Sequence, residues 1–330
     1  MKGNGNGLEK RLLILYAQTF LHPGAGSTTG VVDLPIQREV NTNFPYIAGS
    51  GLKGSLRDKA EALARYGAAA PGQDDAGKTA GRAKVATVFG PEAKASDDYA
   101  SCIAVGDAKI LAMPVRSLTR TFFWVTSPLA LARLRRDLVA IGEEPNWQIP
   151  SVPDGPTALV PPACSVSGAG EQDGQPGRGG QLMLEELNFN VKPDEAVGQI
   201  ARDIASLLPP NVGQVFVDKF ACDFALLSDE DFTHLVRFGT QVSARIALNE
   251  RKTTSGDGGN LWYEEYLPPE TVFYSLLYMN TPRNAGEEDS PFATAAEAMR
   301  YLTEDVLGDG YLQVGGNETQ GQGWCLVRVR

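Results

Sequence analysis

Six side chains that could act on a phosphodiester lie within 36 residues, between and beside two glycine-rich segments. They are His22, Asp33, Arg38, Glu39, Lys53 and Arg57. Carboxylates and imidazoles can orient or transfer protons, whereas lysine and arginine bind phosphate oxygens. Glycines in residues 24–30 and 49–55 would let the backbone approach a ligand closely. The pattern is therefore compatible with a site for a phosphate-containing ligand.

The same residues also allow an interpretation without chemistry. Asp33 would cap a turn, Arg38 and Glu39 would form a solvated pair, and Lys53 and Arg57 would decorate one face of a helix. Surface positions of this kind are common in soluble proteins, and ion pairs there contribute little. The residue types alone leave both interpretations open.

Several common site patterns fit poorly. Residues 24–30 (GAGSTTG) lead into VVDLP rather than into a helix, and residues 49–55 (GSGLKGS) lack the spacing of a phosphate-binding P-loop. A small-nucleotide enzyme that uses the 24–30 loop is therefore a weak alternative. A zinc site is disfavoured because the chain lacks CxxC pairs and has few, widely spaced candidate ligands: Cys102, Cys164, Cys222, Cys325, His22 and His234.

The elements that would position the N-terminal residues follow from local patterns. Leu12–Phe20 reads as a strand, and apolar residues after position 50 recur at helical spacing with Ser50 as the N-cap. Residues 101–126 predict further strands. Ser127–Pro128 predicts the start of a helix, since proline is favoured in its first turn.

The second half of the chain gives similar signals. An amphipathic helix is predicted over Asp194–Leu208, paired strands over Gln214–Leu227, and a capped helix after Ser228. Two short strands, Arg245–Leu248 and Leu261–Tyr266, predict a hairpin. A last helix is predicted to begin at Ser290–Pro291, because serine and proline suit a helix start.

The order of these elements predicts an α+β fold with a ferredoxin-like sheet and long insertions, rather than a regular βα repeat. The chain has 36 glycines and 21 prolines among 330 residues, which favours many turns and loops. Residues 67–83 and 167–180 are small, polar and glycine-rich, and we expect both to be mobile loops.

Charge is unevenly distributed along the chain. The whole chain has a net charge of −10, but residues 1–140 hold 18 basic and 12 acidic residues, whereas residues 141–330 hold 12 and 28. This asymmetry is consistent with a polyanionic partner, or simply with a well-solvated acidic half. The sequence has no long apolar run, so we expect no membrane segment and a cytoplasmic location.

Ordered sequence blocks add a family resemblance. HPGAGSTTGVVDLPIQRE, PYIAGSGLKGSLR, FGPE, PVRS and FFWVTSP are followed by ARIALNE, LWYEEYLPPET and LQVGGNETQGQGW. Together they run from about residue 12 to the C-terminus, and they resemble the RAMP superfamily backbone subunits of type III-B CRISPR–Cas (Cmr) effector complexes.

The resemblance implies a single domain over residues 1–330, built on a modified RRM-like (ferredoxin-like) palm with a β-hairpin thumb at about 246–266. It implies copies stacked as a helical filament along a CRISPR guide RNA, other Cmr subunits as partners, and a paired single-stranded target RNA. The thumb would displace a base pair at regular intervals.

The resemblance also implies site residues. Its acidic catalytic position corresponds to Asp33, with His22 in support. The matching blocks and the C-terminal glycine loop are expected to contact RNA through Ser50, Lys53, Arg57, Arg116, Gly315 and Gly316. Because an aspartate carboxylate is a weak general base at neutral pH, Asp33 is expected to hold a divalent cation, Mg²⁺ or Mn²⁺, or to orient the 2′-hydroxyl.

The expected function is therefore a guide-bound endoribonuclease that cleaves target RNA at regular intervals. Attack by a 2′-hydroxyl would leave a cyclic phosphate and a 5′-hydroxyl. The main alternative is a non-catalytic RNA-binding scaffold of the same kind of complex, in which Asp33 is dispensable. A stand-alone nuclease that processes guide precursors is a further alternative.

Overall fold

The computed structural model describes residues 7–66, 75–91, 100–166, 180–247, 253, 261–287 and 290–330. The strands in these ranges are β1 Leu8–Ala17, β2 Tyr46–Ile47, β3 Ile103–Val105, β4 Ala108–Ser117, β5 Thr121–Thr126, β6 Thr157–Val160, β7 Gln181–Leu184, β8 Leu187–Pro193, β9 Phe224–Leu226, β10 Gln241–Ile246, β11 Leu261–Tyr266, β12 Val272–Asn280, β13 Tyr311–Gln313 and β14 Trp324–Val329. The α-helices are α1 Gly49–Tyr66, α2 Asp75–Phe89, α3 Pro128–Ala140, α4 Glu195–Leu207, α5 Gln214–Cys222, α6 Asp229–Phe238 and α7 Ala295–Arg300.

One mixed sheet dominates the part of the chain that the structure describes. Its strands run in the order β13-β14-β1-β12-β4-β5-β9-β6-β8-β7, with β2 beside β4 and β3 beside β12. Six neighbouring strands, in the order β4-β5-β9-β6-β8-β7, curl into a barrel-like unit. Pairing of Ser117 with Leu184 closes it. Strands β10 and β11 form a separate antiparallel hairpin.

Both faces of the sheet are covered, as the alternation of side chains in β1 illustrates. Leu13 and Leu15 point into a core shared with α1, α2, α6 and α7. Leu12 and Ile14 point into a second core shared with α3, α4 and α5. Because successive strand residues face opposite sides, a strand buried on both faces must be apolar throughout, as β1 is in its second half. The expected α+β palm is confirmed.

Three predicted helix starts are confirmed to within one residue. Ser127 accepts a hydrogen bond from the Ala130 N–H at the start of α3, and proline follows it. Asp194 and Ser228 play the same role for α4 and α6. Each cap satisfies one of the free N–H groups at a helix N-terminus and lies next to its helix in the sequence.

Three other predictions are wrong in part. Gln214–Cys222 is helix α5 rather than a strand, and the strand that follows it covers Phe224–Leu226. Helix α2 begins at Asp75, within the loop predicted over residues 67–83. The last helix begins at Ala295 with Thr294 as its N-cap, not at Ser290–Pro291, and continues as a π-helical turn.

The predicted hairpin is present, with an earlier start. Its first strand runs over Gln241–Ile246 and pairs with Leu261–Tyr266, so it begins five residues before the predicted boundary at 246. The connecting residues 248–252 and 254–260, and residues 167–179 of the loop predicted over 167–180, lie outside the described residues. Within the described ranges, none of the helices combines the length and hydrophobicity needed to cross a membrane.

Candidate functional site

The N-terminal segment that follows β1 runs along the hairpin. Leu21 exchanges two backbone hydrogen bonds with Leu267, just after β11. Further on, the Leu34 N–H donates to the Tyr263 carbonyl at 3.0 Å, and the Glu265 N–H donates to the Leu34 carbonyl at 3.0 Å. These contacts add residues around Leu34 to the edge of β11 as a short parallel pairing. The segment that contains Asp33 is therefore fixed on the hairpin.

Asp33 is oriented by the hairpin backbone. Its Oδ2 accepts a hydrogen bond from the Tyr263 N–H at 2.8 Å, and its carbonyl accepts one from the Thr28 N–H at 2.9 Å. Among the described residues, none donates a hydrogen bond to Oδ1. The residue is partly exposed. One carboxylate oxygen thus anchors the side chain, and the other remains available to a ligand.

His22 lies buried between the hairpin and the C-terminal glycine loop. Its Nδ1 is 2.7 Å from the Glu265 carbonyl oxygen. Because a carbonyl oxygen can only accept, Nδ1 must carry a hydrogen and donate it. The imidazole also meets the Tyr266 ring edge-on, with centroids 5.7 Å apart. His22 is thereby held in one orientation.

Residues 315–321 approach His22 from the other side. The Gly316 N–H donates to the His22 carbonyl at 3.0 Å. A Cβ on Gly315 would lie 2.5 Å from that carbonyl oxygen, and the φ of Gly315 is +83°. Both the close approach and the left-handed backbone require glycine here. The glycine loop and His22 therefore belong to one assembly.

Glu264 links the hairpin to that loop. Its carboxylate accepts hydrogen bonds from the Trp262 Nε1–H at 2.7 Å, from Asn317 Nδ2 at 3.0 Å and from the Tyr266 hydroxyl. Burial alone would raise the pKa of Glu264, but these hydrogen bonds and the nearby Arg245 hold the pKa below its usual value. Glu264 is therefore a buried, ionised anchor at the base of the hairpin.

A metal ion would find few protein ligands here. Within the described ranges, the side chains of His, Cys, Asp and Glu form no group of three or more that could hold an ion. Asp33 supplies one open carboxylate oxygen. Mg²⁺ is often held by one or two carboxylates, with substrate phosphates and water completing its shell. The residues present fit a cation bound mainly by its substrate, but not a metal cage made by the protein.

The start of α1 differs from the sequence prediction. The helix begins at Gly49, whose N–H donates to Asp107 Oδ1 at 2.7 Å. Ser50 lies within the first turn and is exposed, so its prediction as the N-cap is wrong. The carboxylate that binds this helix end comes from the β3–β4 turn. A phosphate at the first amide would have to compete with the negative charge of Asp107.

The predicted RNA-binding cations lie in three separate settings. The Lys53 ammonium donates to Ser101 Oγ at 2.6 Å, and burial, with Arg57 nearby, lowers the pKa of Lys53. Arg57 pairs with Glu61 at 2.8 Å on the same helix. Arg116 pairs with Glu185 at 2.9 Å, and its side chain is 73% exposed. None of these three contacts involves the segments that contain His22 and Asp33.

Two of the blocks border one cavity. A space of about 450 Å³ lies between the exposed face of α1 and the C-terminal segment. Gly54 and Ser55 line one side, and Gln313 and Glu318 line the other. The glycine-rich helix start and the glycine loop therefore face each other across a groove. The family resemblance implies that both segments contact RNA, which stays a prediction.

Sequence reasoning missed the hairpin residues that join the site. Glu264 and Glu265 are buried, although charged residues are seldom buried without partners. Glu39, grouped with the site residues by its position in the sequence, instead pairs with Arg133 on α3. A usable signal for the missed residues was the adjacent acid pair in LWYEEY, where an otherwise aromatic strand carries two carboxylates.

Comparison with known proteins gives a consistent result. The model of the RAMP superfamily matches residues 14–326. The CRISPR system Cmr endoribonuclease Cmr4 of Pyrococcus furiosus is 36% identical over 321 residues, which cover 97% of this chain and 95% of that protein. Both matches extend over nearly the whole chain, so they cover every segment of the site.

Solved structures with similar folds extend the comparison. Oligomeric Cmr4 from Pyrococcus furiosus superposes with a TM-score of 0.62 at 31% identity, covering 98% of both chains. A chain of the type III-B Cmr-beta complex bound to cognate target RNA gives a TM-score of 0.66 at 19% identity, covering 97% of this chain and 96% of that one. The latter likeness concerns the fold alone. This chain belongs to the RAMP superfamily and, within it, to the Cmr4 family.

Proposed function

We propose that this chain is a backbone subunit of a CRISPR RNA-guided complex and cleaves the paired target RNA at regular intervals. The observation that carries the proposal is the convergence of His22, Asp33, the β10–β11 hairpin and residues 315–321 on one hydrogen-bonded surface. The 36% identical relative named an endoribonuclease supports it. The partners are guide RNA, single-stranded target RNA, further copies of the chain in a helical filament, and other Cmr subunits.

Asp33 has the central role in the proposed reaction. The 2′-oxygen of a displaced nucleotide attacks the adjacent phosphorus, the bond to the 5′-oxygen breaks, and a cyclic phosphate forms. The attacking hydroxyl loses a proton, and the leaving oxygen gains one. With Oδ2 held by the Tyr263 N–H, Oδ1 orients the 2′-hydroxyl for in-line attack.

A divalent cation, Mg²⁺ or Mn²⁺, would be held at Asp33 together with RNA phosphate oxygens and water. Such an ion, when bound, stabilises the negative charge that develops on the phosphorus centre. The single open carboxylate oxygen supports this arrangement. The protein itself contributes the orientation of Asp33, because the hairpin backbone holds its Oδ2.

His22 supports the site in this proposal. Its Nδ1–H is donated to the Glu265 carbonyl, and a Cβ on Gly24 would lie 2.9 Å from Nε2, so the ring is closely surrounded. This enclosure suits a residue that shapes the HPG loop around Asp33. Direct proton transfer to RNA would require an open approach to Nε2.

RNA contacts are proposed at Ser50, Lys53, Arg57, Arg116, Gly315 and Gly316. Arg57 and Arg116 lie in partly exposed ion pairs, and phosphate oxygens could replace their carboxylate partners. The groove between α1 and the C-terminal segment is lined by Gly54, Ser55, Gln313 and Glu318, which lie within a few residues of Ser50 and of the two glycines in the sequence. The hairpin is proposed as the thumb that displaces a base pair.

A non-catalytic scaffold is the second candidate. The specific observation in its favour is that Asp33 already caps a backbone N–H of the hairpin, which is a sufficient structural reason for an aspartate. In that case Asp33 would stabilise the hairpin, and another subunit would cut the RNA.

The deciding experiment is cleavage of a 5′-labelled target RNA by the guide-loaded complex. Wild type and Asp33→Ala are compared with Mg²⁺ and with EDTA. Evenly spaced products that vanish in the variant, with assembly retained, support the nuclease and place it at Asp33. Products that persist in the variant contradict the catalytic role of Asp33 and leave the scaffold. Products that vanish in EDTA support the cation, and products that persist there contradict it.

A further inference from the structure

We propose that Glu265 is a positioning residue that fixes Asp33 and His22 relative to each other. This inference rests on the proposed nuclease function of Asp33. Glu265 lies on β11 and is 7% exposed; its backbone contacts both segments, and its side chain contacts the segment that follows Asp33. It does not act on RNA itself.

The backbone of Glu265 holds the two segments from opposite sides. Its N–H donates to the Leu34 carbonyl at 3.0 Å, one residue after Asp33. Its carbonyl accepts the Nδ1–H of His22 at 2.7 Å. A single residue therefore connects the acidic strand to the histidine, although more than 200 positions separate it from either one.

The carboxylate of Glu265 adds a second set of contacts. Oε2 accepts the Ile36 N–H at 3.1 Å, which fixes the acidic strand three residues beyond Asp33. Oε1 accepts Arg38 Nη2 at 2.5 Å and the Thr240 hydroxyl at 2.8 Å. Three donors thus converge on one buried carboxylate, which accepts through both oxygens and donates through neither.

An amide in place of this carboxylate cannot satisfy the same donors. Glutamine offers one oxygen and one NH₂ group. If the oxygen faces Arg38 and Thr240, the NH₂ group meets the Ile36 N–H, and the reverse orientation places it against Arg38. Either way a donor faces a donor in a buried site, which is costly. The segment from 33 to 36 must then shift, and Asp33 shifts with it.

The test is Glu265→Gln in the guide-loaded complex, measured as the single-turnover rate of target cleavage and as the affinity for target RNA. We expect the rate to fall on the order of 10- to 100-fold, because small misplacements of a reacting group have effects of this size. Target affinity should stay within about threefold, because Glu265 makes no RNA contact. Hydrogen exchange in the isolated chain should accelerate in peptides that cover residues 34–37.

Asp223→Asn is the matched control. Asp223 is also a buried carboxylate with two cationic partners, Arg120 at 3.1 Å and Lys219 at 2.6 Å, on the barrel side of the sheet. The Asp223→Asn variant should have a lower thermal midpoint. Hydrogen exchange at residues 34–37 and the cleavage rate of the assembled complex should not change. If Asp223→Asn slows cleavage as much as Glu265→Gln does, the proposal is overturned, because the effect is then one of general stability.

The remaining outcomes separate this inference from the proposed function. If Asp33→Ala abolishes cleavage while Glu265→Gln cuts at the wild-type rate, the positioning role alone fails. If Asp33→Ala cuts normally, the catalytic role of Asp33 fails, and the positioning inference that rests on it fails as well. Should Glu265→Gln not fold, Thr240→Val removes one of the three donors, and a loss of roughly two- to fivefold is expected. An unchanged rate in that variant overturns the positioning role.

Discussion

His22 and Gly315 show how closely the candidate site is packed at the scale of single residues. A Cβ at position 315 would lie 2.5 Å from the His22 carbonyl oxygen, and the backbone there is left-handed. Gly315→Ala is expected to destabilise the chain by about 2–5 kcal/mol, from the left-handed φ and from overpacking together. Urea unfolding of the isolated chain measures the free-energy change.

Gly321→Ala separates the two causes. Gly321 also has a positive φ, +76°, but an added Cβ would meet nothing within 4 Å. This variant should therefore lose about 1–2 kcal/mol, from the backbone alone. Equal losses in the two variants would mean that the contact between Gly315 and His22 does not restrict the loop.

Glu270 gives a prediction about pH. Burial raises the pKa of Glu270, and the neighbouring Tyr16 hydroxyl offsets only part of that rise. A glutamate with a higher pKa in the folded chain favours folding in its protonated form. Its contribution to the free energy of unfolding is complete below the ordinary glutamate pKa. That contribution is lost as pH rises through the raised pKa. Glu270→Gln should therefore raise the thermal midpoint at neutral pH and leave it nearly unchanged in mild acid.

Thermal unfolding across this pH range, with the exposed Glu144→Gln as a control, measures the difference. The control should leave the pH dependence as it is in the wild type. A Glu270→Gln variant that is less stable than wild type at neutral pH would show that the carboxylate is favourably solvated in the folded chain.

At the scale of elements, the start of α1 provides a direct contrast between two residues. Asp107→Ala removes the acceptor of the Gly49 N–H and should cost about 1 kcal/mol, as the loss of a helix cap does. Ser50→Ala should change stability by less than about 0.5 kcal/mol, because Ser50 is exposed within the helix. Denaturant unfolding of both variants tests the assignment. A larger loss in Ser50→Ala would restore the serine as the cap.

Helix starts were predictable where a local sequence pattern marks them. Helices α3, α4 and α6 begin with short-range caps, and the sequence marked their starts by a proline, by amphipathic spacing and by a capping pattern. Helix α5 was missed because Val215, Phe216 and Val217 are strand-forming residues. Its helical form depends on burial of Phe220 in the core beside α4, which is tertiary information. Helix α2 likewise depends on Val85, Val88 and Phe89 packing in the core shared with α1.

At the scale of the whole molecule, the two differently charged halves of the chain meet. Four cations of the basic half pair with carboxylates of the acidic half: Arg38–Glu265, Lys59–Asp309, Arg116–Glu185 and Arg120–Asp223. The acidic half is therefore not simply a solvated surface. Part of its charge neutralises cations of the basic half, and under the proposed function RNA phosphates would compete with these carboxylates at the exposed pairs.

The salt dependence of guide binding tests the proposed cations. Each cation that contacts phosphate on single-stranded RNA contributes about 0.7 to the slope of log affinity against log salt. Arg116→Ala should reduce the slope by about that amount, and Lys53→Ala with Arg57→Ala should weaken binding and flatten it further. Filter binding over a range of salt concentrations gives the slopes. An unchanged slope removes the substituted residues from the backbone contacts.

The candidate site was predictable in its chain segments but not in its connections. The blocks around His22, Asp33 and the C-terminal glycines were recognisable because family resemblance marks them. The hydrogen bonds that join them pass through Glu264 and Glu265, whose partners are as distant in sequence as Asn317 and Ile36. Such connections depend on the packed fold, and neither hydrophobic periodicity nor capping patterns report them.

The pairing of β14 with β1 determines when the site can exist during synthesis. β1 contains Leu13–Ala17, which pair with Cys325–Val329 at the other end of the chain, and Asn317 is needed to complete the contacts of Glu264. A nascent chain emerges from the ribosome with its N-terminus first, so Asp33 appears long before the segments that orient it. A nascent chain therefore cannot complete the proposed site around Asp33 until residues 317–329 have also been synthesised.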